Sequence, residues 1–389
     1  MMLNKYIPYG RQWIDDDDIK AVIEVLKSDY LTTGPKIEEF EEKFAAYVGA
    51  KYAVAVANGT AALHAACFSA GISPGDEVIT TPITFAASAN CVLYQGGKPV
   101  FADVDPETYN ISVEEIKKKI TKKTAAVIPV HFSGQPCDME EIYEIARENN
   151  LIVIEDAAHA LGATYKGEKI GNCRFSDMTV FSFHPVKHIT TGEGGMITTN
   201  DKELYEKLKL FRTHGITKEP DRYIRKTDES WYHEQQFLGY NYRMTDIQAA
   251  LGISQLKKSD EFLKRRREIA RIYNQKLAEI EWIKLPYQET DRESSWHLYV
   301  IQVDEEKLGK SRKDVFNHLR SKGIGVQVHY IPVYWHPYYQ ELGYEIGLCP
   351  EAESVYKKII SLPIFPGMTK EEIRRILNYL EDEDHIEHY

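Results

Sequence analysis

Apolar and polar residues follow two different spacings along the chain. Apolar repeats near the helical period predict helices over 19–26, 37–47, an Ala-rich stretch ending at Ala70, and 86–94. Between and beyond them, short apolar runs predict strands over 52–56, 77–80, 99–104, 125–130, 151–155, 179–183 and 195–199. These runs are apolar throughout rather than at every second residue. Strands of that kind are buried on both faces, so the pattern predicts an α/β fold with a largely parallel sheet covered by helices.

Near Thr245 the rhythm changes. One or two long helices are predicted from Asp246 to about Glu279. Beyond them come strands over 298–302 and 326–329, and helices over 312–321, 351–358 and 370–380. The reading is a large domain over 1–250 and a smaller α+β domain over 251–389, with no Pro/Gly-rich linker at the join. Residues 215–237 are polar and aromatic with weak periodicity, the kind of long loop that carries function.

Composition narrows the picture. A chain of 389 residues, 28% charged and 43% hydrophobic, is a soluble globular protein long enough for two domains. Its net charge of -11 argues against a binder of nucleic-acid backbone, whose affinity rests on clustered Lys and Arg. The basic run Lys264-Arg265-Arg266-Arg267 lies in a predicted helix and reads as a solvated face. Five widely spaced cysteines without a C-x-x-C pair make neither a disulfide framework nor a zinc site, and no metal is expected. The N-terminal stretch MMLNKYIPYGRQWIDDDD carries no apolar core of a signal peptide. No apolar run reaches the ~18–20 residues that a membrane span needs. The expectation is a cytoplasmic protein acting on a soluble compound.

Three constellations carry candidate chemistry. In the first, Asn58-Gly59-Thr60 joins the strand 52–56 to a helix. Gly59 permits close backbone approach and the following N–H groups open a helix, which suits a phosphate. An ordinary helix start, with Asn58 or Thr60 as N-cap, explains the same residues. In the second, the strand 151–155 runs into Glu155-Asp156-Ala157-Ala158-His159. Ligands of open α/β sheets lie beyond the carboxyl ends of strands. A buried carboxylate there needs a cationic partner, whereas a helix cap facing water does not. In the third, Phe181-Ser182-Phe183-His184-Pro185-Val186-Lys187 leads into Thr190-Thr191-Gly192-Glu193-Gly194-Gly195. Most lysines are surface charges, but Lys187 has apolar or small neighbours. Enclosure favours the uncharged amine, which is a nucleophile for aldehydes.

The sequence has no Walker loop, no G-x-G-x-x-G after the first strand, no H-E-x-x-H and no G-x-S-x-G. These absences weaken kinase, dehydrogenase, zinc-hydrolase and α/β-hydrolase readings. In order and spacing, the three segments resemble the sugar aminotransferases of the DegT/DnrJ/EryC1/StrS family. The similarity spans nearly the whole chain. It takes in Leu31-Thr32-Thr33-Gly34-Pro35, Asn58-Gly59-Thr60-Ala61-Ala62-Leu63 and Thr81-Pro82-Ile83-Thr84-Phe85. It continues through His131-Phe132-Ser133-Gly134-Gln135-Pro136, the Asp156 and Lys187 segments, and Gly239-Tyr240-Asn241-Tyr242-Arg243-Met244.

The resemblance implies an aspartate aminotransferase-like fold, fold type I of the PLP-dependent transferases, with pyridoxal 5'-phosphate (PLP) as cofactor. It implies Lys187 as the Schiff-base lysine and proton carrier. By the same resemblance Asp156 pairs with the pyridine nitrogen, His159 lies near the phenolic oxygen, and Phe85 stacks on the ring. Gly59, Thr60 and Ser182 hold the phosphate. Asn241 reaches that phosphate from a second subunit, which implies a homodimer with shared active sites, and Arg243 meets an anionic donor or substrate. Asn58 departs from the Ser of many members, which removes a hydroxyl contact and leaves the backbone donors. Related dehydratases carry His at the lysine position, so Lys187 favours an aminotransferase.

Within the family, the segment 181–187 with Ile189-Thr190-Thr191, the segment 327–334, and Tyr9 resemble the aminotransferases of pseudaminic acid biosynthesis. That implies amino transfer from L-glutamate to C4 of a UDP-linked 4-keto-6-deoxy-2-acetamido-L-hexose, giving UDP-4-amino-4,6-dideoxy-N-acetyl-β-L-altrosamine. Tyr9, His329 and Tyr330 are then candidate substrate contacts, although aromatic residues also serve as core or rim. Other readings stay open: another nucleotide-sugar 4-aminotransferase, a PLP-binding regulatory protein without turnover, and a plain nucleotide-binding module.

Overall fold

In the computed structural model, which describes residues 6–227, 229–382 and 386, the seven apolar runs of the N-terminal half form one sheet. They are β1 (Tyr52–Val56), β2 (Glu77–Thr80), β3 (Lys98–Phe101), β4 (Thr124–Ile128) and β5 (Ile152–Asp156). After a small ribbon of β6 (Thr164–Tyr165) and β7 (Glu168–Lys169) come β8 (Met178–Ser182) and β9 (Gly195–Thr199). The order across the sheet is β1-β9-β8-β5-β4-β2-β3. All neighbours are parallel except β9, which runs antiparallel between β1 and β8. The fold is α/β, of the PLP-dependent transferase type I class, as expected.

Both faces of this sheet are covered, which is why its strands are apolar throughout. Ala53, Val153 and Phe181 face one cluster with Phe40, Phe44 and Ile142. Val54, Ile154 and Val180 face the other, built on Ala62, Leu63 and Ala66 of the helix Gly59–Ser69. The strand period of two thus assigns every position to a face. Three helices that the apolar pattern did not mark, Val113–Lys119, Met139–Glu148 and Lys202–Phe211, flank the strands. Two of them open on capping side chains, Ser112 and Asp201.

The loop 215–237 contains a short ribbon of β10 (Ile216–Thr217) and β11 (Glu234–Gln235). The predicted span 246–279 is two helices, Asp246–Leu256 and Ser259–Leu277. A second sheet then forms from β12 (Ile283–Lys284), β14 (Tyr299–Val303) and β15 (Ile359–Leu362), while β13 (Arg292–Glu293) pairs with β6. Phe262 packs with the large-sheet cluster, whereas Ile269, Tyr273 and Leu277 of the same helix pack with Tyr299 and Ile360. We propose that the division near residue 250 works through this helix, which carries the chain from one core to the other.

Two expectations are corrected. Residues 326–329 do not form a strand. Only Gln327 bridges Ser361, and the chain then leaves the sheet edge, so the third strand is β15. The short apolar run of β15 follows directly on a helix, which hid it. Nor is the basic run wholly solvated: Arg266 is fully buried. Among the described residues, no helix is long and apolar enough to cross a membrane. No group of three or more His, Cys, Asp or Glu among them is placed to hold a metal ion.

The tightest backbone approach in the sheet lies at Gly195. A Cβ there would sit 2.5 Å from the Asn58 carbonyl oxygen. We expect Gly195→Ala to lower stability by about 1–3 kcal/mol, because neither backbone can yield cheaply. Urea unfolding measures it, and an unchanged midpoint refutes the account.

Candidate active site

A cavity of about 740 Å³ opens at the carboxyl ends of β1, β2, β5 and β8. Each of these strands delivers part of its wall. Asn58, Gly59 and Thr60 follow β1; Thr84 and Phe85 follow β2; Asp156 and His159 come from β5; Ser182 and Lys187 come from β8. Tyr9, His297, His329 and Tyr330 close the remaining side. Ten of the twelve residues predicted for the site therefore share one cavity: Tyr9, Gly59, Thr60, Phe85, Asp156, His159, Ser182, Lys187, His329 and Tyr330.

Strand parity separates the two acids of the second constellation. Asp156 falls on the face of Ile154, toward the helix Gly59–Ser69, and faces the cavity. Its Oδ2 accepts the Ser88 hydroxyl at 2.6 Å, and Oδ1 accepts the Ala158 N–H at 3.1 Å. Ser88 in turn lies 2.8 Å from the Thr84 hydroxyl. Glu155 points to the opposite face and meets His131 Nε2 at 2.8 Å, with the hydroxyls of Ser176 and Thr179 at 2.5 and 2.9 Å. Burial pushes the Glu155 carboxyl up, but His131 and the two hydroxyls outweigh it and hold it below the usual carboxylate range.

Lys187 ends a turn in which its N–H donates to the His184 carbonyl at 2.8 Å. Burial drives its ammonium down, Asp156 partly offsets this, and Arg266 adds to it, which leaves the group at about 8. About a tenth of the amine is thus uncharged at pH 7, far more than for an ordinary lysine, and that is the form that attacks carbonyl carbons. Burial also keeps four histidines around it neutral. His159 and His297 stand 4.3 Å apart between ring centroids, and both sit well below the ordinary imidazole value. His188, next in sequence to Lys187, is lowered in the same way. His329, anchored by Nδ1 to the Ser361 hydroxyl at 2.8 Å, is lowered to about 3 by burial and by Lys187. His159 Nε2 meets the Tyr330 hydroxyl at 3.1 Å, and His159 Nδ1 has no partner among the described residues.

At the far end of the cavity, Asn58 caps the helix by accepting the Ala61 N–H at 2.8 Å. Both readings of this turn hold together, since the cap leaves the earlier N–H groups of the helix without a partner inside it. A Cβ on Gly59 would meet the Ser182 Cβ at 2.9 Å, so glycine is what lets helix start and strand end touch. Phe85 is 64% exposed at the mouth, its ring centroid 6.5 Å from that of Tyr330.

Asn241 and Arg243 do not line this cavity in the single chain. Asn241 is exposed and bridges Thr213 through its backbone, while Tyr242 between them reaches the cavity and bonds His64. Ser88, His297 and Arg266 were not singled out from sequence. Ser88 lies one helical turn after Thr84 in a motif that was noticed. His297 belongs to a polar run just before a strand, and Arg266 was hidden by its charged neighbours.

The buried histidines make stability depend on acid. His329 has a folded value of about 3 against about 6.5 when unfolded, so between these values the unfolded chain binds the extra proton. Stability is therefore lost as pH falls below 6.5. From pH 7 to pH 5 this residue alone accounts for about 2 kcal/mol. Denaturant unfolding across that range should show a shallower slope in His329→Gln, and an identical slope would overturn the assignment.

Comparison with known proteins agrees with this geometry. The chain is 34% identical to Helicobacter pylori PseC, an aminotransferase involved in the biosynthesis of pseudoaminic acid, with a TM-score of 0.90 over 97% of this chain and 99% of that one. It is 29% identical to Spr1654 of Streptococcus pneumoniae, named as a sugar aminotransferase and solved in its PLP-form, with a TM-score of 0.90 over 98% and 100% of the two chains. It is 44% identical over 382 residues to the Bacillus subtilis spore coat polysaccharide biosynthesis protein SpsC, covering 97% of each. The model of the DegT/DnrJ/EryC1/StrS aminotransferase family matches residues 12–381, and the chain belongs to that family.

Proposed function

We propose that the chain is a PLP-dependent nucleotide-sugar aminotransferase. It moves the amino group of L-glutamate to C4 of a UDP-linked 4-keto-6-deoxy-2-acetamido-hexose, giving UDP-4-amino-4,6-dideoxy-N-acetyl-β-L-altrosamine. The observation that carries this reading is the meeting of Lys187, Asp156 and the helix start at Gly59–Thr60 around one cavity, in a chain of this family. The likeness to PseC supports the choice of sugar. The greater identity to SpsC favours a second reading, a different nucleotide or epimer serving a polysaccharide.

The residues present fit the cofactor. Gly59 lets the helix start lie against Ser182, which sets backbone N–H groups suited to a phosphate beside the Ser182 hydroxyl. Asp156 is a buried carboxylate able to hold a proton on a ring nitrogen. His159 Nδ1 is buried without a partner among the described residues and can serve a phenolic oxygen. When bound, PLP supplies an electrophilic carbon and a ring that accepts the electron pair of a broken C–H bond.

The chain's own groups do the rest. Lys187 Nζ holds the cofactor and, once freed, moves a proton to and from the reacting carbon. Ser88 orients the Asp156 carboxylate. Phe85 stacks on the ring, while Thr60 and Ser182 place the phosphate. Tyr9, His329 and Tyr330 contact the sugar. Asn241 and Arg243, which lie outside the cavity of their own chain, support a homodimer in which they complete the neighbouring site. A cytoplasmic setting belongs to the same proposal, supported by five buried free cysteines.

Lys187→Ala should lower formation of 2-oxoglutarate from L-glutamate by about 10²–10⁴-fold while leaving the fold intact. Retained transfer would sink the assignment. A panel of UDP-, dTDP- and GDP-linked 4-keto sugars decides the substrate. Amination confined to a dTDP- or GDP-linked sugar would remove the UDP reading and keep the class.

A further inference from the structure

The helix Ser259–Leu277 passes behind residues 294–297, and Arg266 on it is 0% exposed. Its Nη1 donates to the carbonyls of Ile364, Trp296 and His297 at 2.9, 3.2 and 3.3 Å. Its Nε and Nη2 have no partner among the described residues. A buried cation satisfied only by carbonyl dipoles is costly. Nothing in the packing of Ile269 or Tyr273 on the same helix requires one.

What this charge faces gives it a use. His297, whose carbonyl it holds, lines the cavity with Lys187. His188, adjacent to Lys187, is fixed through Nε2 at 3.2 Å from the Ser295 carbonyl in the same segment. The buried groups around the Lys187 amine are Asp156 and His159 from β5, His188 beside it, His297, His329 and Tyr330 from the C-terminal half, and Arg266; Glu193 and His184, both exposed to water, and half-buried Tyr9 line the same cavity. Burial holds the histidines uncharged and raises the Tyr330 phenol. That leaves Asp156 and Arg266 as the two charges of opposite sign that act on the amine, the first favouring its proton and the second opposing it.

We infer that Arg266 is a positioning residue for Lys187: it pins the 294–297 segment that carries His297 to the cavity, and it sets a buried positive charge directly behind the wall that Lys187 shares with His297. The inference rests on the reading of Lys187 as the working amine. It assigns a task to the one cation of the basic run that is out of water.

The test is the pH dependence of Lys187 labelling by an amine reagent in the full-length chain freed of cofactor, with the site located by peptide mass spectrometry. The wild-type midpoint should lie at about 8. Arg266→Gln, which keeps donors and loses charge, should raise it by about one unit, and Arg266→Lys, which keeps the charge, should hold it near the wild-type value. An unchanged midpoint in folded Arg266→Gln overturns the inference, as does an equal shift in both variants. Where Arg266→Gln does not fold, a wild-type midpoint above 10 overturns it. Failure of the functional reading is seen separately, as transfer that survives Lys187→Ala, whereas the labelling midpoints are read on the wild type and the Arg266 variants.

Discussion

A buried carboxylate and a half-buried amine at the carboxyl ends of two central strands set the terms for everything around them. Charge removed from water must be matched locally or given up. Asp156 is matched by the Ser88 hydroxyl and the Ala158 N–H. The histidines nearby resolve the same demand the other way, by remaining neutral. Glu155, one residue earlier, would have crowded Asp156 on the same face. The strand period sends it through the sheet to His131, so two consecutive acids occupy unrelated environments.

The second constraint is steric. β9 runs against its neighbours and enters the sheet at Gly195, between Val56 and Ser182. A side chain there would strike the Asn58 backbone, and one on Gly59 would strike Ser182. The glycines beyond Lys187 look in sequence like part of the lysine's own loop. In three dimensions one of them, Gly195, lets β9 lie against the Asn58 backbone, and Gly59 lets the helix start meet the β8 end, which together form the far end of the cavity. Lys187 and the turn at Gly59 are thus joined by packing between strands that are distant in sequence.

Much of this was legible beforehand, and the reasons are physical. Runs such as Val54–Val56 and the strand ahead of Asp156 are apolar because both faces are covered, so the large sheet could be read directly. Motifs on strand ends give positions that geometry then gathers, which is how Lys187, Asp156 and Gly59 came together. Other features lacked a local signature. β15 is a short apolar run that follows a helix without a turn signal. Arg266 sits among three other basic residues, and only the fold decides which of the four faces inward. Asn241 and Arg243 carry a family motif, but a single chain offers them no place in its own cavity.

The two ends of the cavity also differ in what holds them. The cofactor end is made of strand termini within the large sheet. The substrate end is mounted elsewhere: the Tyr9 carbonyl accepts the Ile364 N–H at 3.1 Å, Ile7 packs in the C-terminal cluster, and His329 rests on Ser361 of β15. Residues proposed to touch the sugar are therefore anchored partly on the second core, while Tyr9 and Tyr330 also pack against Ile83, Phe101 and Phe132 of the N-terminal half. Substrate fit thus draws on packing from both halves of the chain, whereas the strand termini depend on the large sheet. Such a division explains why strand-end motifs identify the family at once, whereas the sugar is decided by loops whose geometry depends on the packing beneath them.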